Sequence, residues 1–226
     1  MAKTLALLHT TAVTVPAMKE LAAEHLPGVR TINLLDDSLL PDVMAAGGVT
    51  PAVEGRLRAY VAQAAAAGAD AVLCCCSSVG EAAERARADA PIPVWRIDAP
   101  MSAEAVAHGP RIGVLATVPT TLRPTVNLIE RRAQEQGREV AVEAVVVEGA
   151  FAALQVGNGA EHDRLVLAAL EDLLARSDVV VLAQASMARL IGALAAPPRV
   201  PILTSPLSGL MAARDHLAAG KGGADA

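Results

Sequence analysis

The 226-residue chain predicts an α/β fold: two pseudo-symmetric doubly wound halves, mostly parallel sheets, and an inter-lobe cleft. Three observations carry this. Short β-branched runs alternate with Ala-rich stretches of helical length, the pattern of βαβ units. The order of motifs in the first half returns in the second. Hydrophobic residues make up 53% of the chain and charged residues 19%, which favours a packed core over disorder.

The candidate strands are Thr4–His9, Val29–Leu34, Ala71–Cys75, Val94–Ile97, Ile112–Ala116, Val140–Val147, Val179–Leu182 and Ile202–Thr204. Helical stretches such as Pro51–Ala67, Gly80–Ala88, Thr121–Gln136, Asp163–Ala175 and Leu207–Leu217 lie between them. "AAAAGAD" reads as a helix end turning into a strand, with Gly68 as its C-terminal cap. "VGNGAEHDRL" (Val156 to Leu165) supplies turn glycines and an acidic helix start, a structural segment or a flap. The closing "AAGKGGADA" reads as a frayed tail.

The repeat is weak in identity but consistent in order. "TLALLHTTAVTV" matches "RIGVLATVPTT", "GADAVLCCCSS" matches "RSDVVVLAQAS", and "IPVWRI" matches "VPILTS". Thr10 thus corresponds to Thr117 and Cys76 to Gln184, at a near-constant separation. The predicted division is residues 1–109 and 110–226, with the C-terminal helix free to cross back to the first half. Ligands of such folds bind at the C-terminal ends of the strands, so those ends should line the cleft.

Composition excludes several classes. The net charge is −5 and no basic run is present, which argues against nucleic acid and anionic membrane. One Trp, one Tyr and one Phe offer little for stacking bases. No apolar stretch has the length of a membrane span, and "KTLALLH" is too short for a secretory core. A cytoplasmic location is expected, with the three cysteines as reduced thiols.

Four strand-end loops are rich in small polar side chains: His9-Thr10-Thr11, Cys76-Ser77-Ser78, Thr117 to Thr121 (with Thr120), and Gln184-Ala185-Ser186. Each should lead into a helix, whose N-terminal N–H groups favour an anion such as a carboxylate. Ser and Thr there also serve as ordinary N-caps. Four such loops at equivalent places weigh toward a site.

The consecutive cysteines are not a metal cluster. Successive strand side chains alternate faces, and no CxxC or Cys/His set is present. Cys74 and Cys75 read as small buried hydrophobes. Cys76 falls where the strand ends and a helix begins, a setting that lowers a thiol's pKa; the bland alternative is a third buried thiol. His9 ends the first strand, either as a proton donor or as a hydrogen-bonded structural residue. Arg96 and Asp98 follow the fourth strand and are expected to pair. Asp36 and Asp37 read as a solvated turn, and His25, His108, His162 and His216 as surface or helix-end residues.

With these motifs in place, the chain resembles the aspartate/glutamate/hydantoin racemase superfamily. "GADAVLCCCSS", "RIGVLATVPTT" and "SDVVVLAQASM" carry the likeness. It implies a cofactor-independent isomerase acting at the carbon next to a carboxylate of a small acid or amino acid. It also implies a dimer. In the family's racemases one cysteine from each half works on opposite faces of the substrate. Cys76 falls on the first of these, and Gln184 stands where the second belongs. An amide has no useful proton at neutral pH, but it can donate a hydrogen bond. The expectation is a single-thiol member: Cys76 as acid/base, with His9 as the candidate second proton donor. Thr10, Ser77, Ser78, Thr117, Thr120, Thr121, Gln184, Ala185 and Ser186 are the expected substrate-binding set. Decarboxylation of a malonate-type acid, with Cys76 protonating the enolate, is the runner-up. A protein that binds small carboxylates without turnover is the third reading.

Overall fold

A computed structural model of the chain describes residues 2–194 and 196–220. The chain divides into two compact units. The first runs through Pro100 and includes the segment from Pro206 onward; the second is Met101–Ser205.

The first unit contains β1 (Thr4–His9), α1 (Thr14–His25), β2 (Arg30–Leu35), α2 (Leu39–Ala46), α3 (Pro51–Ala66), β3 (Ala71–Cys74), α4 (Gly80–Ala86) and β4 (Val94–Arg96). The second contains all but the first two residues of α5 (Ala99–His108), then β5 (Arg111–Ala116), α6 (Pro119–Glu135), β6 (Ala141–Val146), α7 (Ala150–Gln155), α8 (Gly159–Leu174), β7 (Val179–Leu182) and β8 (Ile202–Thr204). The final helix, α9 (Ser205–Ala219), belongs with the first unit. The two sheets have orders β2-β1-β3-β4 and β6-β5-β7-β8, and every strand pair is parallel.

Central strands of such sheets are covered on both faces and read as continuous apolar runs. β1, β3 and β7 are buried along their whole length, whereas edge strands β2 and β6 are partly exposed. Alternation then sorts the side chains. Ala6, Leu8, Val72 and Cys74 pack against Leu57 and Val61 of α3 and Ala82 of α4. Leu5, Leu7, Leu73 and Cys75 pack on the other face against Met18 of α1 and Leu210 and Leu217 of α9. The adjacent thiols therefore point into different cores, as strand geometry requires. In the second unit, Ile112, Val114 and Ala116 face Met101, Ala105 and Ile129, while Leu115 faces Val166 and Leu170.

Local signals set the helix ends. Thr50 caps α3 by accepting from the Val53 N–H at 3.3 Å, with Pro51 at the first helical position. Gly68, at φ +83°, turns the chain out of α3 toward β3. In "VGNGAEHDRL", Gly157 takes φ +78° after α7, and Asn158 caps α8 by accepting from the Glu161 N–H. Gly209 of α9 lies so close to the end of β4 that an added Cβ would stand 2.3 Å from the Ile97 carbonyl oxygen. The "AAGKGGADA" tail lies outside the described residues from position 221 onward.

Two expectations for charged residues are corrected. Asp36 is not a solvated turn residue: Arg56, Tyr60 and Ser38 all hydrogen-bond its carboxylate, which holds it well below the usual carboxylate range against the opposing effect of burial. His162 is buried rather than superficial, with Nδ1 2.7 Å from Asp163. His216 stacks on Trp95 at 5.2 Å.

Candidate active site

β3 stops at Cys74, and the chain runs on extended through Cys76 before a single 3₁₀ turn, Ser77–Val79, opens α4. Cys76 is therefore aimed by the end of a fully buried strand. Cys74 and Cys75 are buried, whereas Cys76 is partly exposed. Around its sulfur stand the Ser78 and Val79 backbone N–H groups, the Ser78 hydroxyl and the Thr10 hydroxyl, all of which favour the charged form. Thr10 is itself buried, and its oxygen makes no conventional hydrogen bond elsewhere. Thr10 follows β1 and Cys76 follows β3; the two strands are neighbours, with Leu8 beside Cys74.

The electrostatics differ from the sequence expectation. The donors around Cys76 stabilise the thiolate, but burial outweighs them and raises the thiol above its ordinary value. Burial also pushes Cys74 up to about 12 and Cys75 well above the ordinary thiol range. Those two are inert.

A buried ion pair supports the turn. Arg96 donates to Asp98 through Nε (2.7 Å) and Nη2 (2.9 Å), with both residues almost wholly out of water. The Arg96 Nη1 also reaches Glu84 at 3.2 Å. The Ser77 hydroxyl donates to Asp98, tying the Cys76-Ser77-Ser78 turn to the end of β4. Gly80 makes room for the guanidinium, since a Cβ there would lie 2.7 Å from Cζ. Burial opposes ionisation of Asp98, but Arg96 and Ser77 prevail and hold its carboxyl low. The pairing is readable from "RID"; the link to Ser77 is not.

His9 is fully buried. Its Nδ1 lies 2.9 Å from the Thr14 hydroxyl, and its Nε2 donates to Asn33 Oδ1 at 3.0 Å. Both ring nitrogens are engaged. Burial depresses its pKa, with the Asn33 bond opposing, so the ring is neutral.

In the second unit the corresponding pair is Thr117 and Gln184. Gln184 Oε1 accepts from the Thr117 backbone N–H at 2.6 Å and from its hydroxyl at 3.0 Å. β5 and β7 are neighbours, with Leu115 beside Leu182, so their outgoing ends are held together by the sheet. Thr121 is buried, its carbonyl accepting from the Thr125 hydroxyl at 2.9 Å, and the Thr120 oxygen is buried without a partner. Ala185 and Ser186 are partly exposed and open a 3₁₀ run, Ala185–Ala193, instead of the expected α-helix.

The capping alternative is not realised in these four loops. The N-cap positions are Val13, Cys76, Val118 and Gln184, and none carries a side-chain cap bond. The hydroxyls are spent elsewhere or left unpaired. Among the described residues, no group of three or more His, Cys, Asp or Glu could hold a metal ion. No described helix is long and apolar enough to cross a membrane.

Each parallel four-stranded unit thus ends a central strand in a polar turn, a thiol turn in the first and a clamped amide in the second. The chain belongs to the Asp/Glu/hydantoin racemase family, whose family model matches residues 7–213. No curated protein sequence matches it significantly. Among solved structures it is similar to a putative Asp/Glu racemase from Yersinia pestis, with 18% identity, a TM-score of 0.73 and coverage of 96% of this chain and 99% of that one. It is similar to allantoin racemase from Klebsiella pneumoniae, at 17% identity and a TM-score of 0.69, covering 96% of this chain and 89% of the other. Glutamate racemase from Thermus thermophilus, in complex with beta-chloro-D-alanine, gives 20% identity and a TM-score of 0.70, covering 97% of this chain and 82% of the other. At these identities the likeness is one of fold.

Proposed function

We propose that the protein is a cofactor-independent isomerase of the racemase or epimerase type, acting at the carbon alpha to a carboxylate of a small acid or amino acid, with Cys76 as its thiol acid/base. The observation that carries this reading is the environment of the Cys76 sulfur. It is partly exposed at a strand end and ringed by the Thr10 hydroxyl and the Ser78 and Val79 N–H groups. Such donors stabilise a thiolate as it forms, which is what proton abstraction by sulfur needs. Thr10, Ser77 and Ser78, at the strand ends beside Cys76, are proposed to hold the substrate's carboxylate and the enolate it becomes. Thr117, Thr120, Thr121, Gln184, Ala185 and Ser186, at the strand ends of the second unit taken by itself, are proposed as further substrate-binding residues. His9, with both nitrogens engaged, is assigned the part of a positioning group that fixes the strand end beneath Thr10.

The Cys76 thiol first gives its proton to solvent, and the thiolate then takes the proton from the α carbon, leaving the electron pair delocalised onto the carboxylate oxygens. The same thiol returns the proton. Without a second thiol, exchange on one face should outrun inversion. The raised thiol also supports a second reading, malonate-type decarboxylation: a neutral Cys76 is ready to protonate the carbanion left when carbon dioxide departs. Three free thiols suit a reducing cytoplasm.

The test is proton NMR in deuterium oxide over a panel of amino acids, 2-hydroxy acids, malonates and hydantoins. Exchange that outruns a slower inversion is the expected outcome, and carbon dioxide release would select the decarboxylase reading. If no compound turns over, or if Cys76→Ser leaves turnover unchanged, the thiol mechanism is wrong.

A further inference from the structure

We infer that Gln184 is a donor-only anchor for an acceptor oxygen of the ligand, a carboxylate or enolate oxygen, and that Thr117 is the positioning residue that fixes it in that role. This rests on the reading that the protein acts on a small carboxylate.

The orientation of a side-chain amide is settled by its hydrogen bonds, because its oxygen only accepts and its nitrogen only donates. Thr117 N is a backbone donor, so the Gln184 atom 2.6 Å from it is the oxygen. The Thr117 hydroxyl, 3.0 Å away, donates to the same atom. Turning the amide over would set NH2 against the Thr117 N–H and lose that 2.6 Å bond. Gln184 therefore presents its NH2 end, which has no hydrogen-bond partner among the described residues, and Gln184 is only partly buried.

The clamp is built on main chain. Ala183 N donates to Leu115 O at 2.9 Å, the last rung between β7 and β5, directly before the two residues diverge. The placement parallels that of the first unit, where Thr10 and Cys76 follow the neighbouring strands β1 and β3. One unit keeps a group that can lose a proton. The other keeps one that cannot, and so its donor character persists at every pH. A donor pair of this kind rejects an ammonium group and accepts an anionic oxygen.

The test uses the full chain and malonate as probe, titrated by calorimetry beside steady-state kinetics on whichever carboxylate exchanges. Gln184→Met should weaken malonate binding about tenfold, the scale of one hydrogen bond to a charged group. Gln184→Glu should weaken it further, with binding recovering as the pH falls and the introduced carboxyl protonates. Thr117→Val should raise KM more than it lowers kcat, and Thr117→Ser should restore the original values. Unchanged melting temperatures keep loss of fold out of the comparison; if Gln184→Met alone is destabilised, Gln184→Glu carries the test. Malonate binding to Gln184→Met as tight as to the unaltered chain would overturn the inference, as would no malonate binding by the unaltered chain. A Cys76→Ser variant separates the two claims. If it retains turnover while Gln184→Met still loses malonate affinity, the thiol reading fails and the Gln184 anchor stands.

Discussion

Arg96 meets Asp98 through two parallel hydrogen bonds, two residues apart in sequence and shut away from water, with the Ser77 hydroxyl donating to the same carboxylate. Removing one member of a buried pair strands the other's charge, which typically costs about 3–5 kcal/mol. Asp98→Asn and Arg96→Met should each lower stability on that scale in urea unfolding, whereas replacing both with apolar residues should cost less. Because Asp98 is held low in the folded state, its contribution is present above the unfolded carboxylate value and fades as the pH falls through the acid range. The wild-type and Asp98→Asn curves should therefore converge toward low pH.

The three cysteines should separate cleanly under alkylation. Cys76 is the partly exposed thiol, and the other two are buried in opposite cores. Mass spectrometry after iodoacetamide treatment of the folded protein should find label on Cys76 first. Its rate at neutral pH should be below that of free cysteine, and the midpoint of its pH profile should lie above 9.0. A midpoint below that value would mean the surrounding donors outweigh burial.

His9 supplies a pH signature of opposite sense to that of a histidine gaining a carboxylate partner. Its folded pKa is depressed below 6.5, so the unfolded chain binds the extra proton first. Stability is complete above 6.5 and declines as the pH falls from there toward the folded pKa. Urea midpoints measured from pH 8 to 5 should show this slope in the native chain, and it should be smaller in His9→Gln.

Gly209→Ala tests the seat of α9. The new methyl would sit 2.3 Å from the Ile97 carbonyl oxygen, a main-chain atom that cannot swing aside. Forced overpacking of this kind costs roughly 1–3 kcal/mol or more. The expected result is a lowered melting temperature, together with faster amide exchange in α9 than in α8.

Much of the scaffold was legible because parallel strands buried on both faces announce themselves as short apolar runs. β1, β7 and β8 begin and end where the residue types do. The division of Cys74 from Cys75 followed from alternation alone. What stayed hidden depends on contacts distant in sequence. The rise of the Cys76 thiol is a balance of burial against four donors, and no local pattern sets its sign. The Asn33 contact that occupies His9 comes from a neighbouring strand. His162 had a local signal, since it shares the helical face of Val166, Leu170 and Leu173. The 3₁₀ run after Gln184 has none that we can name.

The placement of α9 gives the chain an unusual order of assembly. Leu210, Ala213 and Leu217 complete a core begun by Leu5, Leu7 and Met18, at the opposite end of the polypeptide. Until α9 is made, Met18, Ala22 and Leu26 are the helical side of that core, and the part Leu210, Ala213 and Leu217 fill stays open. The second unit, continuous from Met101 to Ser205, has every part it needs before that opening is filled. The first unit is therefore completed only after the second, and until α9 docks part of its core lacks its apolar cover.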